Sequence, residues 1–146
     1  MAPRFDALFC DDIRQEITGK HILIGVYGGD IVPSVPFPHV TPVSIWTKIV
    51  GLPLGEHTFR FKIIGPDAQL AAEIVDTFLV EPNNSESVAL GFAGIPITFP
   101  KSGSVRALIS IDDQPEFELA AIKVTEPRVH PDFAAAAKEA AGDPPA

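Results

Sequence analysis

The chain has 146 residues, 46% hydrophobic and 21% charged, with a net charge of -8 and one cysteine. That is enough chain for a single globular domain, which buries about 70% of its extended-chain surface and folds without a metal or cross-link; a lone cysteine excludes an internal disulfide. The acidity, with the lysines and arginines scattered rather than clustered, argues against nucleic acid or an anionic membrane as partner.

No apolar segment of signal-peptide type follows Arg4, and no apolar run approaches the roughly 20 residues of a membrane span. A single thiol fits a reducing compartment. The expected location is the cytoplasm.

Alternation of period two predicts eight strands, over roughly residues 4–10, 20–27, 43–50, 57–64, 69–78, 87–93, 104–111 and 117–124. The first is expected to end at Cys10, with Asp11 and Asp12 capping a turn. The second, "HILIGVY", is apolar on both faces, which predicts a central strand. Gly28-Gly29-Asp30 then reads as a hairpin turn. The stretch from Val32 to Pro42 holds Pro33, Pro36, Pro38 and Pro42 and is expected to be a stiff, irregular connection between sheets.

The third strand sets Val43, Ile45, Thr47 and Ile49 opposite Ser44, Trp46, Lys48 and Val50. The fourth sets His57, Phe59, Phe61 and Ile63 opposite Thr58, Arg60 and Lys62, one face oily and one wet. "AQLAAEIVD" favours helix by composition, but its short span between turns makes it a strand. Pro96 marks an edge or a bulge. The strand "SVRALISI" follows, then a turn at Asp112-Asp113-Gln114-Pro115.

From residue 127 the composition changes to an alanine-rich, proline-bounded tail, 127–146, with a marginal helix expected between Pro131 and Gly142. The fold expected for residues 1–126 is all-β: an antiparallel, immunoglobulin-like β-sandwich of seven to nine strands.

Asp11, Ile13, Arg14, Gly19, Lys20, Gly25, Val26, Tyr27 and Ile31 form a pattern of strand and turn residues. It resembles a family of uncharacterised bacterial β-sandwich proteins with a Cys/Ala-Asp-x-x-Arg, Gly-Lys, Gly-Val-Tyr order. The likeness extends to the hairpin at Asp67 and Gln69, where Ala68 replaces the family's usual glycine. It covers roughly residues 5–126. The resemblance implies the fold and carries no activity.

Candidate chemistry is sparse. Cys10 is flanked by two aspartates, which raise a thiol's pKa, whereas a nucleophile needs it lowered. His21 is the one base a hairpin could bring to it. Asp11 and Arg14 are a candidate ion pair. Asp11, Asp12 and Asp30, or Asp112, Asp113 and Glu116, are candidate calcium ligands, without the spaced aspartates of a dedicated loop. His21, His39, His57 and His130 lack metal-ligand spacing. Trp46 and Tyr27 either line a cleft or pack against a sheet. No catalytic, cofactor-binding or metal residue is assigned, and no cofactor is expected.

The function expected is non-enzymatic: a protein-binding or scaffold module presenting loops or a sheet face, to a partner protein or to a second copy. The alternatives are a small-molecule binder or enzyme with a loop-end site near Cys10, Asp11, Asp12, His21 and Asp30, and a calcium-dependent binding module.

Overall fold

The computed structural model describes residues 2–82 and 87–128. The turn expected at Asn83-Asn84 and the tail from residue 129 onward, with its expected helix, lie outside the described residues. Eight strands are present among those described: β1 (Arg4–Gln15), β2 (His21–Val26), β3 (His39–Val50), β4 (Gly55–Ile64), β5 (Leu70–Val80), β6 (Ser87–Phe99), β7 (Gly103–Ile111) and β8 (Phe117–Val124). They form two four-stranded antiparallel sheets, ordered β2-β1-β3-β6 and β5-β4-β7-β8. The protein is a β-sandwich. Its partition of strands differs from that of a constant-type immunoglobulin domain, so the likeness lies in two stacked antiparallel sheets rather than in strand order.

The alternating residues close the core. Val43, Ile45 and Ile49 of β3 and Phe59, Phe61 and Ile63 of β4 are buried, facing one another between the sheets. The link is aromatic: Phe61 of β4 stacks on Phe92 of β6 with ring centroids 4.1 Å apart, and Phe59 meets the same ring edge-on at 5.6 Å. Burying a phenylalanine side chain such as Phe61 contributes about 1.5–3 kcal/mol.

Along β6 the buried positions change parity, from Phe92 to Ile97 and Phe99. A bulge causes it. Ala93 and Gly94 together oppose Ser44 of β3, and Gly94 adopts a φ of 63°, which favours glycine. The Ser44 hydroxyl is fully buried and satisfied: it donates to the Asp11 carbonyl at 3.1 Å and accepts from the Gly94 N–H at 2.8 Å. Pro96 follows on this edge strand, as its missing N–H requires.

Four expectations change. β1 does not stop at Cys10. It pairs with β3 through Cys10 and with β2 from Cys10 to Gln15, so Asp11 and Asp12 lie within a strand and the turn falls at Glu16–Lys20. β2 is an edge strand, not a central one. Apolar character on both faces shows that both faces are oily, not that both are covered. Gly28-Gly29 opens a long connection and not a hairpin, since β2 and β3 are not neighbours. That proline-rich connection joins two strands of one sheet, yet it reaches the other: Ile31 bridges Val124 in parallel, and its N–H donates to the Lys123 carbonyl.

The β1–β2 hairpin lies over the outer face of its own sheet. Ile45 and Phe92 point inward as a pair, so their neighbours Trp46 and Gly91, also paired, point outward. A side chain on Gly91 would stand 3.3 Å from Ile13 and 3.7 Å from His21. The missing side chain is the space into which the hairpin settles.

Candidate functional site

Cys10, Asp11 and Asp12 are consecutive on β1 but face different surroundings. Cys10 is fully buried, and its Sγ donates to the Asp12 carbonyl at 3.5 Å. Burial pushes its pKa up, and the two aspartate charges push it further. This thiol is held protonated, the opposite of an activated nucleophile.

Asp11 faces Gly25, where a Cβ would lie 2.2 Å from its carboxylate oxygen and where φ is 67°. Only glycine fits. The Asp11 carboxylate neighbours the Tyr27 hydroxyl. Burial, and then that carboxylate, push the Tyr27 pKa up to about 12. Asp12 pairs with Arg14 at 2.7 Å, and this pair holds the Asp12 carboxyl below its ordinary range. Of the two readings of Asp11 and Arg14, an ion pair or two solvated charges, the pair does not form: Arg14 pairs with Asp12 instead. Residues two apart on a strand share a face, and residues three apart do not.

His21 does not reach the thiol. It stands opposite Gln15, whereas Cys10 stands opposite Val26. Five residues of strand, roughly 16 Å, separate those positions. The His21 Nδ1 accepts instead from the Trp46 indole N–H at 3.1 Å, which places Trp46 under the hairpin. Tyr27 packs against the core, so the two rings serve separate structural roles and share no cleft. Asp30 is exposed, beside the Ile31 bridge.

The second acidic set is also dispersed. The Asp112 carboxylate accepts from His57 Nδ1 at 2.5 Å and from the Thr58 N–H at 3.0 Å, and Glu116 pairs with Lys62 at 2.6 Å. Among the described residues, no three of His, Cys, Asp and Glu group closely enough to hold a metal ion.

His57 is the feature that sequence reading did not resolve. The residue is 6% exposed, and both ring nitrogens face acceptors: Nδ1 the Asp112 carboxylate, Nε2 the Pro53 carbonyl at 2.7 Å. Two acceptors require two N–H groups, so the ring is an imidazolium. The Pro53 carbonyl, then Asp112, raise its pKa, and His57 in turn lowers that of Asp112. A His–Asp couple suggests a catalytic base, but Nε2 is occupied by backbone, so it has no lone pair for a substrate. The couple is a clamp. It ties the β3–β4 loop to the β7–β8 turn, where Asp112 and Asp113 both hold positive φ.

Beside the clamp lies an apolar cleft of about 530 Å³, between the start of β1 and the β7–β8 hairpin. Phe5 and Phe117 stack on each other in one wall of it, with centroids 4.5 Å apart.

The family of unknown function DUF6941 matches residues 6–125. The chain belongs to this family. No curated protein matches it. The match runs from Asp6 in β1 to Thr125, just past β8, so the DUF6941 unit is the sandwich itself.

A DUF6941 sandwich has four strand edges, and an open edge needs protection against unwanted pairing. The β8 edge is covered by Ile31, with Thr125 and Arg128 donating to the carbonyls of Ile31 and Pro33. The β6 edge carries the Gly94 bulge and Pro96. The β5 edge exposes Val75 and Leu79, but it carries Glu73 and Asp76 and lies beside Arg60, which pairs with Glu73 at 2.6 Å. Among the described residues β2 carries no charged side chain, proline or covering segment, and its one irregularity is the positive φ of Gly25. From Ile22 to Val26 no side chain is charged, and Ile22, Ile24 and Val26 are 45%, 44% and 47% exposed. The outer face of the opposite sheet makes a contrast: Arg60–Glu73, Lys62–Glu116 and Arg106–Glu118 cover it with ion pairs.

Proposed function

We propose that this chain is a non-catalytic protein-binding module whose working surface is the β2 edge and the aliphatic face beside it, and that its occupant is a second copy of the chain. The carrying observation is β2: among the described residues it is the one edge left without charge, proline or cover, with three aliphatic side chains held half out of the protein. Such an edge pairs readily with another strand.

A second copy is favoured by symmetry and by charge. Two antiparallel β2 strands related by a twofold axis present the same aliphatic residues to each other, which satisfies both edges at once. A chain of net charge -8 repels its copy in general. The β2 face avoids that cost: its charged neighbours on β1, Asp12 and Arg14, neutralise each other. The reading also includes a reducing, cytoplasmic setting in a bacterial cell, supported by the buried lone thiol and the resemblance drawn from the sequence.

The test is molar mass by light scattering across a wide concentration range, for the natural chain and for Ile24→Lys. The interface is small, so the dissociation constant expected is on the order of micromolar. The natural chain is expected to move from monomer to dimer as concentration rises, and Ile24→Lys to stay monomeric. A natural chain that stays monomeric throughout would refute the reading.

A further inference from the structure

The cleft at the other end of the molecule is independent of the β2 surface. Its volume, about 530 Å³, falls within the range of sites that enclose small organic molecules. Its walls are apolar: Phe5 and Phe117 on one side, with Leu52, Ile109 and Ile111 beneath. Phe117 stays 47% exposed although it stacks on Phe5, so one ring face remains available to a guest.

The polar groups sit at the rim. Gln114 is exposed; its backbone groups are engaged, its N–H to Ile111 and its carbonyl to Ser110 at 2.5 Å. Gln114 is among the residues lining the cleft, and its side-chain amide makes no hydrogen bond among the described residues. Asp112 also reaches the rim, its charge balanced by His57. The clamp does more than brace the turn: it fixes the β3–β4 loop, carrying Leu52 and Pro53, against the turn carrying Asp112 and Gln114. The walls are therefore set before anything binds, and a preformed apolar cleft binds without the cost of ordering loops.

We infer that this cleft is a binding site for a compact, uncharged, aromatic or alicyclic small molecule with one hydrogen-bonding group, its apolar body against Phe5, Phe117 and Leu52 and its polar group at the Gln114 amide. An anion is disfavoured by Asp112 and by the net charge of the chain. A strongly cationic ligand gains little, because His57 already satisfies that carboxylate.

The probe is N-phenyl-1-naphthylamine, a neutral aromatic amine whose fluorescence rises in apolar surroundings. With the natural chain a saturable, one-to-one rise is expected. Phe117→Ala removes a wall and is expected to weaken binding at least tenfold. Gln114→Trp fills the mouth from an exposed position whose side chain makes no hydrogen bond among the described residues, and is expected to abolish binding; it keeps the test decisive should Phe117→Ala fold poorly. Ile24→Lys, at the β2 surface, is expected to leave binding unchanged. No saturable rise, or a rise that Ile24→Lys removes and Gln114→Trp does not, would overturn the assignment.

Discussion

His57 and Asp112, 55 positions apart in sequence, meet at 2.5 Å because β4 and β7 pair with Phe59 opposite Ile111. The register carries the strands past each other, and the residues beyond that last pair meet at the sandwich end. The pair has a defined pH signature. His57 has a folded pKa above its unfolded value, so its contribution is complete below about pH 6.5 and is lost as pH rises through the folded value. Asp112 has a folded pKa below its unfolded value, so its contribution is present above about pH 4 and is lost as pH falls through the folded value. Urea denaturation is expected to show this clamp's contribution greatest between about pH 4 and 6.5. His57→Gln is expected to cost about 1–3 kcal/mol at about pH 5.5, and less at alkaline pH, because the Pro53 carbonyl and the Asp112 carboxylate lose a charged donor. An equal cost at both pH values would show that the ring folds neutral.

Tyr27 is the only tyrosine, so its ionisation can be followed by ultraviolet absorbance without interference. Its midpoint is expected at about 12. Asp11→Asn is expected to bring it down part of the way towards the ordinary value of about 10 and no further, since burial, the larger cause, remains. An Asp11→Asn midpoint equal to that of the natural chain would remove the Asp11–Tyr27 contact from the structure.

Ala68 holds a φ of 64° in the β4–β5 turn, where Gly65 accepts from its N–H at 3.0 Å. The left-handed region costs an L-residue about 1–2 kcal/mol, and glycine loses part of that advantage through its freer unfolded chain. Ala68→Gly is expected to stabilise by about 0.5–1 kcal/mol, read as a rise in Tm of a few degrees. A fall in Tm would show that the turn is not left-handed at this residue.

Phe92 is the ring on which Phe59 and Phe61 converge from the other sheet. Phe92→Ala is expected to cost about 3–5 kcal/mol in denaturant unfolding. A cost below about 1 kcal/mol would mean that the sheets are not joined through this ring.

Much of the sandwich was legible in the chain, for a local reason. Where one face is buried and one wet, as with Phe59, Phe61 and Ile63 against Thr58, Arg60 and Lys62, alternation states both the strand and its orientation. Pro96 was legible too, because a missing N–H is a property of a single residue, whereas Ala68 stood out only against the glycine of the family pattern. β2 was not: an exposed apolar face and a covered one have the same composition, and only tertiary placement separates them. The extent of β1 was hidden because Asp11 and Asp12 carry turn chemistry, yet Asp11 is spent on Tyr27 and Asp12 on Arg14. The His57–Asp112 clamp needed the β4–β7 register, which no short stretch of sequence contains.

Amide hydrogen exchange along β2, measured in dilute and in concentrated protein, tests the self-pairing edge most directly. Protection of the amides from His21 to Val26 is expected to rise with concentration, while those of β5, the other edge with exposed aliphatics, stay unchanged. Exchange in β2 that is independent of concentration, or protection that grows along β5 instead, would contradict it.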